Sequence, residues 1–253
     1  MHFIKLLKIE RIKCKRSKII PFIFIAPILV VSSGVANLST YFTPEYTQAW
    51  PAMFIQSALL YAYYLLPFSM IVVCVMITGQ ENSHNGLLKM LALPVNRHTL
   101  SLAKFCILVF YLLMEILVFL AVFVIAGYIA VVTSGITETL PLSYLLKWCA
   151  GLFLTMLPSL SVMWMLTVLF EKPLLSVGLN LLLVIPGLLA GATPAWFLYP
   201  YCYSGYLVSR SLQAFTTEVT ADTALQLFPF IPCAVLIFTL ALFISASRFC
   251  KQT

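Results

Sequence analysis

Charge is scarce in this sequence: 9% of its 253 residues are Asp, Glu, Lys or Arg, where a soluble domain carries roughly a quarter. With 62% hydrophobic residues, too little polar surface remains to cover a globule in water, and the same composition excludes a disordered chain. Disulfide and metal patterns are missing as well. The seven cysteines (Cys14, Cys74, Cys106, Cys149, Cys202, Cys233 and Cys250) form no CxxC spacing, and His2, His84 and His98 are scattered. Neither a disulfide framework nor a metal site is expected. No G-x-x-x-x-G-K-[ST] occurs, nor any Gly-Lys pair, so no phosphate loop can cradle a nucleotide. A G-x-S-x-G elbow and an H-E-x-x-H pair are also missing.

What the chain has is apolar length. Six runs, about 19–38, 52–78, 105–132, 144–169, 174–194 and 225–247, can each cross ~30 Å of hydrocarbon at ~1.5 Å per residue. Helices are expected because each span must satisfy its own backbone, and no alternation of period two runs through them. The fold class is therefore an all-α integral membrane protein. It is one transmembrane domain over 1–253, a six-transmembrane-helix bundle led by an N-terminal interfacial helix over 1–18. Phe3, Leu6, Leu7 and Cys14 share one face of that helix, while Ile9 and Ile12 fall elsewhere. Pro27, Pro67, Pro158 and Pro186 lie within spans, where neighbours must satisfy the carbonyls they free.

The formal charge of +7 is unevenly placed. Seven of the 15 basic residues lie between Lys5 and Lys18, just ahead of the first run, without the interleaved aromatics that stack nucleic-acid bases. This is a lipid-headgroup anchor and a topology signal, not a nucleic-acid site. With the N-terminus inside, thirteen basic residues fall on the inner side, against Lys147 and Arg210 outside. Both termini are expected to be cytoplasmic. A cleaved signal peptide fits less well, because the first run and its basic prelude are both long for one. On this topology Cys202, if it is not shielded, should react with an impermeant thiol reagent from outside, and Cys14 and Cys250 only after lysis.

One polar stretch of size lies on the inner side, between spans two and three, over 79–104. It reads as a loop (Gly79 to Gly86), a short apolar helix (Leu87 to Leu93), a stop at Pro94 and a restart near Asn96. The succession Glu81, Gly86, Leu87-Leu88, Leu93-Pro94, Asn96-Arg97 and Lys104 resembles the inner loop of ABC-2 type permeases, the membrane subunits of ATP-driven exporters. Within that family the chain is most similar to permeases of lantibiotic self-protection exporters, although Leu87 stands where many relatives carry a small polar residue. The resemblance implies that Glu81, Gly86, Leu87, Leu91, Pro94 and Arg97 couple the bundle to an ATPase. It also implies partners: ABC ATPase subunits forming a dimer, and a sister permease or a second copy. The chain itself would bind no cofactor, ATP and Mg residing on the partner, and would not be an enzyme by itself.

Two intramembrane polar residues stand out. Glu115 lies eleven residues beyond Lys104, ~16 Å up the third span, where a carboxyl must face the bundle interior. Asn180, or the Ser159/Ser161 pair, is its expected partner; contact with cargo is the alternative. Outside, the segment 195–224 is too long for a simple connection. It is read as an extracellular or re-entrant element carrying Trp196, Tyr199 and Tyr203, then Glu218 and Asp222. An aromatic belt alone would give the same composition. An aromatic, mildly acidic rim suits a cationic amphiphilic peptide. The resulting expectation is a bacterial plasma-membrane exporter permease giving lantibiotic immunity or antibiotic resistance, with the bilayer itself as a further partner. Lipid or drug cargo is the alternative, as is a non-transporting scaffold or sensor. A membrane-embedded enzyme is disfavoured, because no cluster of His, Asp or Glu faces inward.

Overall fold

Inside a bilayer a backbone polar group has no water to bond, so each segment must satisfy itself. Helices meet that demand here. The computed structural model describes residues 3–15, 17, 19–36, 49–82, 97–133, 139–170, 172–216 and 227–249, which contain helices and no strand. In chain order they are α1 (Phe3–Lys15), α2 (Ile19–Ala36), α3 (Ala49–Leu60), a π-helical turn (Tyr61–Leu65), α4 (Leu66–Asn82), α5 (Arg97–Thr133), α6 (Leu142–Leu169), α7 (Pro173–Val184), α8 (Gly187–Gly191), α9 (Tyr203–Thr216) and α10 (Leu227–Phe249). Two 3₁₀ turns, Trp196–Leu198 and Pro200–Cys202, link α8 to α9.

Six stretches are long and apolar enough to cross a membrane: Ile19–Ala36, Trp50–Gly79, His98–Thr133, Leu142–Leu169, Pro173–Gly191 and Phe228–Arg248. The second joins α3, the π turn and α4; the fifth joins α7 and α8. The second, third and fourth form the centre, and the fifth and sixth lie at the periphery. Buried residues make up 61% of the second span's most apolar window but only 17% of the sixth's.

Aromatic rings knit the centre. Tyr61 stacks on Phe119 with centroids 4.5 Å apart, and Phe54 meets Phe119 and Phe123 edge-on. Trp50 packs edge-on against Phe123 and over Gly127, where an added Cβ would come within 2.6 Å of the indole. Such ring pairs add about 0.5–1.5 kcal/mol each beyond their area, and in lipid close packing of this kind holds helices together.

The helix of the third span, α5, starts earlier than its apolar run, at Arg97, and its 37 residues extend ~55 Å. Its inner end is covered by α1. Leu6 packs with Leu100 and Ala103, and the Arg11 guanidinium sits 5.2 Å from the Phe110 centroid. Glu10 is buried between these contacts and forms ion pairs with Lys104 at 3.3 Å and Lys13 at 2.7 Å. The buried stripe of α1 is thus Leu6, Glu10 and Cys14, one residue per turn, with Phe3, Ile9 and Ile12 exposed.

Candidate functional site

The most constrained part of the bundle is the π turn in the second span, and Pro67 accounts for its location. The Leu66 N–H donates to the Tyr61 carbonyl, the wider π spacing. Next in that register would be residue 67 to Ala62, but proline has no N–H to give. The orphaned Ala62 carbonyl instead accepts from Ser204 Oγ of α9 at 2.8 Å. Two further contacts seat α9 there. Gly205 lies so close to the Tyr63 ring that a Cβ would fall 2.2 Å from it, and the Tyr63 and Ser209 hydroxyls are 3.2 Å apart.

The chain reaches this position by folding back after the fifth span. The break at Pro186 separates α7 from α8, and the Tyr199 hydroxyl donates to the Leu183 carbonyl beside it. The Tyr201 hydroxyl donates to Asn180 Oδ1 at 2.9 Å, while Asn180 Nδ2 donates to the Ser176 carbonyl at 2.9 Å. Asn180 is therefore fully buried and serves as an internal tether of the fold-back segment.

Glu115 is fully buried on α5, level with α4. Its Oε1 accepts from Ser69 Oγ at 2.5 Å, and Ser69 also contacts the Leu66 carbonyl at 2.9 Å. The Tyr61 hydroxyl on the π turn is its other polar neighbour, although neither that hydroxyl nor Glu115 Oε2 reaches hydrogen-bond geometry. The partners expected from sequence are engaged elsewhere. Asn180 binds Tyr201, and Ser159 and Ser161 return their hydroxyls to the Met156 and Pro158 carbonyls of their own helix. Ser69 and Tyr61 were not anticipated, because hydroxyls in an apolar run carry no pattern that singles them out.

On the expected outer side, Trp196, Tyr203, Tyr206 and Phe230 form a cluster of their own. Trp196 stacks on Tyr206 at 3.9 Å and lies 5.3 Å from Phe230, while Tyr203 meets Phe230 edge-on at 4.9 Å. The Tyr203 hydroxyl donates to the Phe197 carbonyl at 2.5 Å. The cation over Tyr206 is the chain's own Arg210, 5.1 Å from the ring centroid. These rings are core material, with Tyr203 1% exposed and Trp196 8%. Cys202 is likewise sealed in. Its thiol donates to the Tyr199 carbonyl at 3.0 Å, and burial pushes it up to about 12. Cys14 on α1 is buried too, pushed up to about 11 by burial and then by the Glu10 charge. Burial shields Cys202, the condition under which its labelling from outside fails, and it shields Cys14 as well.

Of the expected coupling residues, Gly86, Leu87, Leu91 and Pro94 lie outside the described residues, as do Glu218 and Asp222. Glu81 is in the last turn of α4 and Arg97 begins α5, so the described helices lead into the loop from both sides. Lys104, read from sequence as part of that loop, is 1% exposed within the α1–α5 contact. Among the described residues no group of three or more His, Cys, Asp or Glu is arranged to hold a metal ion.

Length, composition and packing define a multi-pass helical membrane protein, with hydroxyl tethers between its spans. The model of the ABC-2 family transporter protein matches residues 6–187, and the chain belongs to that family. It is accordingly a membrane permease of a family that works with an ABC ATPase. The match covers α1, the inner loop, Glu115 and Asn180, and stops before the aromatic fold-back. No curated protein matches the chain.

Proposed function

We propose that this permease is one membrane subunit of a heteromeric ATP-driven exporter, expelling cationic amphiphilic peptides of the lantibiotic type and so protecting the cell that carries it. Its family membership over residues 6–187 carries this reading, joined to a sequence without a phosphate loop. The ATPase is then a separate polypeptide gripping the loop from Glu81 to Arg97, and a sister permease or a second copy completes the pore. Support for the cargo comes from the resemblance to self-protection permeases and from the four outer acids, Glu45, Glu138, Glu218 and Asp222, against two outer bases. Such an excess draws cations in a salt-dependent way. Burial of the Trp196 cluster leaves those acids, rather than ring faces, as the peptide's first contact.

The test compares survival under a cationic pore-forming peptide, and release of that peptide to the medium, in three strains: full complex, complex lacking this subunit, and ATPase-dead complex. Protection only in the first supports the reading, and equal sensitivity in all three with the complex assembled sinks the peptide cargo. Removing both Glu218 and Asp222 should weaken protection most at low ionic strength. Glu81→Ala and Arg97→Ala should leave insertion intact but lower transport or ATPase co-purification. Truncating one partner of a buried charged contact typically costs a few kcal/mol. Lipid or drug cargo is the second reading, and equal sensitivity in all three strains would favour it.

A further inference from the structure

Between α1, α2 and α5 lies a groove of about 400 Å³, within the range of small-molecule sites, roughly 300–1,000 Å³. Its polarity is graded. Lys8 and Arg11 stand at one end; Phe24, Met114 and Val118 line the other. Val118 is eight residues beyond Phe110, so the apolar wall climbs ~12 Å along α5 from the ring that carries the Arg11 guanidinium. The gradient runs in the direction of an inner-leaflet phospholipid, with the headgroup at the basic side and the chain toward the bilayer centre.

The two cations are free for such a ligand. Glu10, the acid on the same helix, is engaged by Lys104 and Lys13. Among the described residues no carboxylate pairs with Lys8 or Arg11. The Phe110 ring holds the Arg11 guanidinium at the groove while leaving its N–H donors uncommitted. We propose that this groove is a site for one anionic phospholipid of the inner leaflet, its phosphate held by Lys8 and Arg11 and one acyl chain lying along Phe24, Met114 and Val118. The site is independent of what the protein exports.

Native mass spectrometry of the full chain, released from nanodiscs of phosphatidylcholine with added phosphatidylglycerol, tests this. The wild type should retain one phosphatidylglycerol in preference to phosphatidylcholine. Lys8→Gln with Arg11→Gln should lower that preference about tenfold, the scale expected for two basic side chains at a headgroup. Lys5→Gln with Lys172→Gln, also basic and exposed but outside the groove, should change nothing. Val118→Trp should displace the lipid with the cations intact, and soluble glycerol phosphate should not compete. Thermal melting and monodispersity establish that each variant is folded. Three results would overturn the proposal: equal retention of neutral and anionic lipid, no loss in either groove variant, or full competition by glycerol phosphate, which would mark a bare anion site without a chain.

Discussion

Glu115 is a carboxyl at a depth where an isolated charge is costly, and its company is two hydroxyls, Ser69 and Tyr61. A structural tether predicts that Glu115→Gln, which keeps a hydrogen-bonding head of the same size, preserves assembly and transport. Glu115→Leu removes this bond between spans while Ser69 keeps the Leu66 carbonyl, and should cost about 0.5–1.5 kcal/mol, read as a lower melting temperature in detergent. Transport abolished by Gln in a fully assembled complex would instead assign the carboxyl an ionisable role. The need for a buried partner was legible in the sequence. The partner was not, because any of several hydroxyls satisfies the need and only the phase of the second span selects Ser69. Glu10 shows the same limit. Counting apolar residues misses a buried acid whose compensating lysine lies 94 residues away, so the helix reads as less amphipathic than its packing makes it.

At the scale of elements, the fold-back helix α9 and the π turn depend on each other. Pro67 removes a donor, the π turn leaves Ala62 with a free carbonyl, and Ser204 supplies the missing bond. Gly205→Val would drive side-chain atoms into the Tyr63 ring and should destabilise the protein by about 1–3 kcal/mol, the usual cost of overpacking. Adding Tyr63→Ala should recover part of that loss, since residues in contact couple energetically. Additive losses in the double variant would show that the contact does not hold α9 in place. Pro67 announces an interruption within an apolar run. That a serine from beyond the fifth span would answer it was not legible, because this contact spans 142 residues.

For the molecule as a whole, the six apolar runs were the plainest signal in the sequence, and the family match agrees with the inner-loop resemblance over residues 6–187. The expected orientation needs a better probe than its native thiols. With Cys14 raised to about 11 and Cys202 to about 12, roughly one thiol in a thousand or fewer is the reactive thiolate near pH 8. Both should therefore stay unlabelled in the native protein whether cells are intact or broken, gaining reactivity only as the pH climbs toward those values or on denaturation. Exposed positions serve instead: Thr139→Cys should label in sealed cells, and Lys5→Cys only after lysis. Labelling of Lys5→Cys in sealed cells would invert the topology.

The π turn has one more consequence. A π turn carries an extra residue relative to the α spacing, and each residue of an α-helix turns the chain by about 100°. Deleting a single residue within Tyr61–Leu65 would take up that extra residue and let the span run as continuous α-helix, with the side chains below it staying near their present azimuth. Ser69 would keep Glu115, whereas the same deletion between Ser69 and Cys74, in regular α-helix, would swing Cys74 away from the bundle centre by that angle. The turn thus absorbs one residue between the outer and inner halves of the span without re-aiming either half. A single-residue deletion within the turn should therefore be milder than one between Ser69 and Cys74, a difference read as melting temperature in detergent.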